Sequence, residues 1–284
     1  MLHIITDSMS DVTQVQGHKW GVQIIPLAVQ IENETYLDGV TIDAEEFYEK
    51  MKAAKTLPKT SQVPPESFRK SFKKALESEA DEVLCITGSS ALSGTYQSAM
   101  IAKKEQEAAA QGRVFVVDSL SATLGGAILI RTAVKWRDEG LDGKTIRDNL
   151  NELKSRIDIA ATVGDLKYLV MGGRLPKIGA KVGGLLNLKP MICVVEGAVK
   201  MAGVCRGMKK VNEWIVESME KGGIDESYPV ILGHADGLKS MTAFKECLDR
   251  EKLLKNEPLV MNIGSIIGSH TGPGTFGIAW VKKG

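Results

Sequence analysis

The chain alternates short apolar runs with longer stretches in which apolar positions recur every three or four residues. "LHIIT" and "VQIIPLAVQI" read as strands, while "DAEEFYEKMKAA" and "PPESFRKSFKKALES" carry the helical period. "EVLCIT" is a strand followed by the helix "TYQSAMIAKKEQEAAA". "RVFVVD" is another, followed by the helices "ATLGGAILIRTAVKWRDEG" and "KTIRDNLNELKSRI". Strands alternating with helices predict βαβ units, and so a parallel sheet with helices on both faces.

Near Ile157, after the long polar helix, the pattern changes. "CVVEGAVKMAGVC" reads as a hairpin turning at Glu196–Gly197, which implies antiparallel pairing. "VNEWIVESMEKGG" and "MTAFKECLDREKLLKN" are helical, and "PVILGHA", "LVMNI" and "FGIAWV" are strands. The expected fold class is therefore α/β with two domains. An N-terminal α/β domain covers 1–156, and a C-terminal α+β domain with a mixed or antiparallel sheet covers 157–284. The segment "GSIIGSHTGPG" between the last two strands reads as a flexible, hydroxyl-rich turn holding His270, one of four histidines.

Composition narrows the function classes. At 284 residues the chain is long enough for two cores, and a formal net charge of +1 gives no reason to expect nucleic acid or an anionic membrane as partner. Aromatic residues make up only 5%, too few for base-stacking platforms. Cys85, Cys193, Cys205 and Cys247 are scattered with no CxxC pair, so neither a zinc site nor a disulfide framework is expected. No cofactor is expected either. The N-terminus "MLHIITDSMSD" has no signal-peptide pattern and no apolar run approaches a membrane span, so a cytoplasmic protein is expected.

Candidate chemistry gathers at three strand ends. "HIIT" runs into Asp7–Ser8, "LCIT" into "GSSALSGT", and "FVVD" into Ser119. In a parallel sheet these turns share the carboxyl edge, where open α/β folds place ligands. "SSALSGTYQSA" opens a helix, which directs backbone N–H groups and Ser93 or Thr95 at an anion. Helix capping explains any one such hydroxyl. Three turns together, with "KTSQ" at 59–62, favour a ligand site. Ser93, His270 and Asp7 also make up the residue types of a hydrolytic triad, but nothing in the sequence fixes their geometry.

With "TDS", "KTSQ", "SSALSGTYQSA", "VVDS", "LKYLVMGGRL", "LLNLKP" and "IGSIIGSHTGPG" in this order, the chain resembles the DegV family nearly end to end. That family includes the fatty-acid-binding subunits of bacterial fatty acid kinase. The resemblance implies two α/β-type domains with a ligand tunnel between them, and a carrier that buries a long-chain fatty acid. The carrier presents the carboxylate to a separate kinase subunit for phosphorylation and is not itself catalytic. It further implies that Thr60, Ser61, Ser93 and His270 meet the carboxylate, with the choice of donor between Thr60 and Ser61 open. Arg174, Gly94 and Thr95 would lie at the tunnel mouth, and Arg206 would serve kinase docking. Apolar segments available to line the slot are "GGAILI", "VGGLLNL" and "SIIG". Two competing readings use the same features: an acyl hydrolase with Ser93 as nucleophile and His270 as base, and a bare regulatory binding module.

Overall fold

The computed structural model describes residues 1–78, 80–176 and 188–284. Strand β1 (Leu2–Asp7) opens the chain, followed by a 3₁₀ turn (Ser8–Ser10), helix α1 (Gln14–Trp20) and β2 (Val22–Ile25), which pairs parallel with β1. The run "VQIIPLAVQI", expected as one strand, is two. Pro26 carries no N–H for a ladder, and the pairing breaks there. Beyond it β3 (Ala28–Ile31) joins β4 (Glu34–Leu37) in a separate antiparallel sheet. Helix α2 (Ala44–Ala53), capped by Asp43, leads to β5 (Lys59–Ser61), which pairs with the other edge of β3. "KTSQ" is thus mainly an edge strand.

Helix α3 (Pro65–Glu77), β6 (Glu82–Thr87), α4 (Thr95–Ala110) and β7 (Val114–Asp118) follow, then α5 (Thr123–Asp138) and α6 (Gly143–Leu153). The parallel sheet has the order β2-β1-β6-β7. Strand alternation sorts its core: Ile5, Val83 and Cys85 face α3 and α4, while Ile4, Leu84 and Ile86 face α5 and α6. Helices cover both faces, as expected, and most of the strand residues are buried.

The remaining elements begin with β8 (Ile157–Thr162), α7 (Lys167–Met171), β9 (Leu188–Val195) and β10 (Ala198–Arg206). Glu196 and Gly197, at φ 50° and 78°, form the tight β9–β10 turn that the sequence announces. Then come α8 (Met208–Gly222), β11 (Ile231–Ala235), α9 (Leu238–Glu251), β12 (Leu259–Asn262), α10 (Ser265–Thr271) and β13 (Thr275–Val281). The six strands form a mixed sheet of order β10-β9-β8-β13-β11-β12, antiparallel except for β11–β12.

Alternation again divides the core. Leu232, Phe276, Ile278 and Trp280 pack under α8 and α9, while Ile159, Ile231 and Ala279 pack against α5. Helix α5 is therefore shared between the two large sheets, which is why "GGAILI" is apolar nearly all round. Among the described residues, no helix is long and apolar enough to cross a membrane.

Candidate functional site

A cavity of about 230 Å³ lies between the carboxyl edge of the parallel sheet and the inner face of the mixed sheet. The turns after β1, β6 and β7 reach it through Met9, Leu92–Gly94 and Ala122–Leu124. This is the shared edge read from the three strand endings. The mixed sheet contributes Ile159, Ala161, Ile192, Val194 and Val199, and Ile263, Ile266 and Ile267 close another side. "SIIG" thus lines the slot. "GGAILI" does not, because it is packed between the two sheets, and only the preceding Ala122–Leu124 faces the cavity. Most of "VGGLLNL" (182–187) lies outside the described residues.

The polar part of the wall is built around His270. Its Nε2 lies 2.8 Å from Thr60 Oγ1. Thr60 and Ser61 point to opposite sides of β5, so Thr60 turns inward to the imidazole while Ser61 is exposed at the cavity rim. His270 Nδ1 is buried without a partner against Gly172, where a Cβ would lie 2.3 Å from it. Only glycine leaves the ring this position. Burial, and then the positive charge of Arg174, push the imidazole down to about 4, so it is neutral at pH 7.

Arg174 is half-buried. Its Nε donates to Leu92 O at 3.0 Å and its Nη1 to Gly172 O at 2.6 Å. Gly173, at φ 74°, ends α7 and lets the chain double back, with Arg174 N–H donating to Leu169 O. Desolvation lowers the guanidinium pKa, but an arginine stays charged at neutral pH. Among the described lining residues it is the single full charge, and no acidic side chain faces the cavity.

Ser93 Oγ lies 2.9 Å from Thr95 Oγ1, and the Thr95 hydroxyl accepts from Val63 N–H at 3.3 Å. Thr95, expected at the mouth, is fully buried behind Ser93 and does not line the cavity. Gly94 does. Beside it stands Gln62, which donates from Nε2 to Ser98 Oγ at 3.1 Å. Arg206 ends β10, exposed and away from the cavity lining.

Ser93, His270 and Asp7 do not assemble into a triad. Ser93 is engaged by Thr95 and His270 by Thr60, while the Asp7 carboxylate accepts from the N–H groups of Met9 and Gly88. A nucleophile needs its base within hydrogen-bond reach. Asp7 is instead a buried turn anchor whose pKa desolvation raises to about 6.

His270 sits in the last turn of helix α10, where a flexible turn was expected. The helix owes its start to two distant carboxylates. Asp11 Oδ1 accepts Gly264 N–H at 2.9 Å, and Asp38 Oδ1 accepts Ser265 N–H at 3.0 Å and Ser265 Oγ–H at 2.6 Å. Tyr48 O–H donates to Ile263 O at 2.8 Å. Burial raises the pKa of both aspartates, and their contacts with the helix N-terminus oppose that shift. Sequence reasoning missed Asp11 and Asp38, and it gave Gln62 and Gly172 no role of their own within "KTSQ" and "LKYLVMGGRL". It also missed Val194 and Val199, although alternation along the hairpin is a usable signal for those two.

The arrangement is a largely apolar slot with neutral donors and one arginine at one part of its wall. It suits an apolar chain ending in an anion. A family model described as an uncharacterised protein of the DegV family matches residues 1–283. The DegV domain-containing protein of Caldanaerobacter subterraneus subsp. tengcongensis is 34% identical, covering 99% of this chain and 98% of its own. A DegV family protein from Thermus thermophilus, described by its fatty acid binding, has a TM-score of 0.89 at 34% identity, with 99% of each chain covered. A stearic-acid-binding protein from Eubacterium ventriosum has a TM-score of 0.86 at 30% identity, with 100% of this chain and 99% of that one covered.

Proposed function

Since the chain belongs to the DegV family, we propose that it binds a long-chain fatty acid in the cavity between its sheets and carries it to a partner kinase. The observation that carries this reading is the pairing of a largely apolar slot with the Thr60–His270–Arg174 group at its wall. The fatty acids bound by the Thermus and Eubacterium relatives support it. An acyl chain of about sixteen carbons gains roughly 0.8 kcal/mol per methylene, on the order of 10 kcal/mol gross. Association and ordering costs take back a large share.

In this reading Thr60, Ser93 and neutral His270 replace the hydration of the carboxylate, while Arg174 supplies the charge without clamping it bidentately. Its Nε and one Nη are already committed to backbone carbonyls. The carboxylate oxygens therefore stay available as a nucleophile towards a phosphoryl donor held by the kinase. Residues 1–156 and 157–284 act as the two jaws, the protein works in the cytoplasm, and exposed Arg206 meets the kinase. The hydrolase reading has no nucleophile–base contact behind it.

Native mass spectrometry of the purified protein is the direct test. One fatty acid per chain, identified after denaturation, is the expected result. A protein that is empty and refuses added fatty acid overturns the reading. Arg206→Glu is expected to leave fatty-acid binding unchanged and to remove most acyl phosphate formation in the presence of the kinase. Wild-type turnover of that variant sinks the docking role.

A further inference from the structure

The β9–β10 hairpin forms an outer wall of the cavity, with cross-strand partners Val194 and Val199 both lining it. β10 is an edge strand, and its register shifts between Met201 and Gly203, so the tip is paired separately from the base. The tip meets the other half of the molecule at one fully buried side chain. Ser89 Oγ donates to Gly197 O at 2.8 Å. The fit is close: a Cβ on Gly197 would stand 2.3 Å from Ser89 Oγ and 3.2 Å from Leu120.

Ser89 also organises the turn after β6. Its carbonyl accepts the N–H groups of Leu92 and Ser93, both at 3.1 Å, and its hydroxyl oxygen accepts Ala91 N–H at 3.2 Å. Its own N–H donates to Ser121 O at 2.8 Å, tying this turn to the one after β7. One residue therefore touches the hairpin wall on one side and the Ser93 loop on the other.

We infer that Ser89 is a positioning residue that latches the hairpin across the cavity while holding Ser93 at the head-group end. Retention of the chain and presentation of its carboxylate are thereby coupled. The inference rests on the fatty-acid reading. Breaking the Ser89–Gly197 bond frees the tip to swing outward on its edge strand and opens the apolar wall, giving the chain an exit.

The test is stopped-flow release of the fluorescent fatty acid cis-parinaric acid from the full chain into excess oleate. Ser89→Ala leaves a buried carbonyl without its donor and is expected to release the probe about tenfold faster than wild type. Gly197→Ala crowds Ser89 from the hairpin side while keeping the serine whose carbonyl holds the Ser93 loop, and is expected to act in the same direction. Hydrogen exchange gives the local readout. Amides 191–204 of wild type are expected to slow on loading and to exchange faster in the variants, with α3 and α4 unchanged. Should Ser89→Ala not fold, Gly197→Ala and wild-type exchange decide. Wild type that takes up no probe defeats the fatty-acid reading itself. Wild type that binds, with Gly197→Ala releasing at the wild-type rate and hairpin exchange unmoved by loading, overturns the latch alone.

Discussion

Ser93→Ala combined with His270→Gln is expected to weaken binding of a long-chain fatty acid by about a hundredfold, read as the Kd from displacement of a fluorescent fatty acid. A hydrogen bond to a charged group contributes about 1.5–3 kcal/mol, and leaving a buried carboxylate short of donors costs that much again. Loss of two such bonds in one network falls short of additive, which gives about 3 kcal/mol, or two decades in Kd. The matching fatty alcohol separates head-group chemistry from tunnel damage. It places no charge at the wall, so wild type and variant are expected to bind it within about threefold of each other. Equal losses for acid and alcohol would show that the two residues shape the slot and do not receive the carboxylate. Thr60 remains in both proteins, so the comparison also bears on how much it holds without its imidazole partner.

Acidification is expected to expose His270 as a stability determinant. Its imidazole titrates near 6.5 when unfolded and at about 4 in the fold, because burial and Arg174 disfavour the charged ring. Between those values the unfolded chain binds a proton that the native protein refuses. The stabilisation is fully present above pH 6.5 and is lost as pH falls towards 4, at about 1.4 kcal/mol per unit and about 3 kcal/mol in all. Asp7 runs the other way, since its folded pKa of about 6 is raised. Its contribution favours the fold at low pH and is lost as pH rises through about 6. The two trends overlap, so the wild-type curve alone hides both. Urea midpoints of lipid-free wild type and His270→Gln, compared from pH 7 to 4.5, isolate the histidine. The gap is expected to move against wild type as pH falls. Parallel curves would mean that the ring is not desolvated in solution. Loading with fatty acid brings a negative charge to the ring and is expected to narrow the window.

Helix–strand alternation was legible in the chain because it is a local pattern with a physical period. Ile4 and Ile5 need opposite faces of β1, and a strand covered on both sides carries apolar residues at successive positions in its middle. The hairpin at Glu196–Gly197 was legible from the glycine between two apolar runs, since a two-residue turn with positive φ is easiest at glycine. The Asp7, Ser89–Ser93 and Asp118–Ser121 turns could be grouped in advance, because parallel strands put their ends on one edge. Family resemblance then pointed to Thr60, Ser93, Arg174 and His270, which the fold brings to one cavity.

What the sequence could not supply was every feature whose cause lies far along the chain. "SIIGSHT" is seven residues long and holds three hydroxyl residues and a glycine, too short to be helical by propensity. It is a helix because Asp11 and Asp38, more than 200 residues earlier, accept its first N–H groups. Proline at 26 split one apolar run into two strands of different sheets, and which sheet each joined was settled by packing. The face of β5 that turns Thr60 inward and Ser61 out follows from its register against β3, where Thr60 lies opposite Val29. The low pKa of His270 comes from burial and from Arg174, neither visible in its neighbours. By itself the sequence determined the alternating strands and helices of the two large sheets and the edge where chemistry collects, because those depend on residues two to four positions apart. Tertiary structure alone decided the orientation, protonation and closure of the site, because those depend on groups that meet only after the chain has folded.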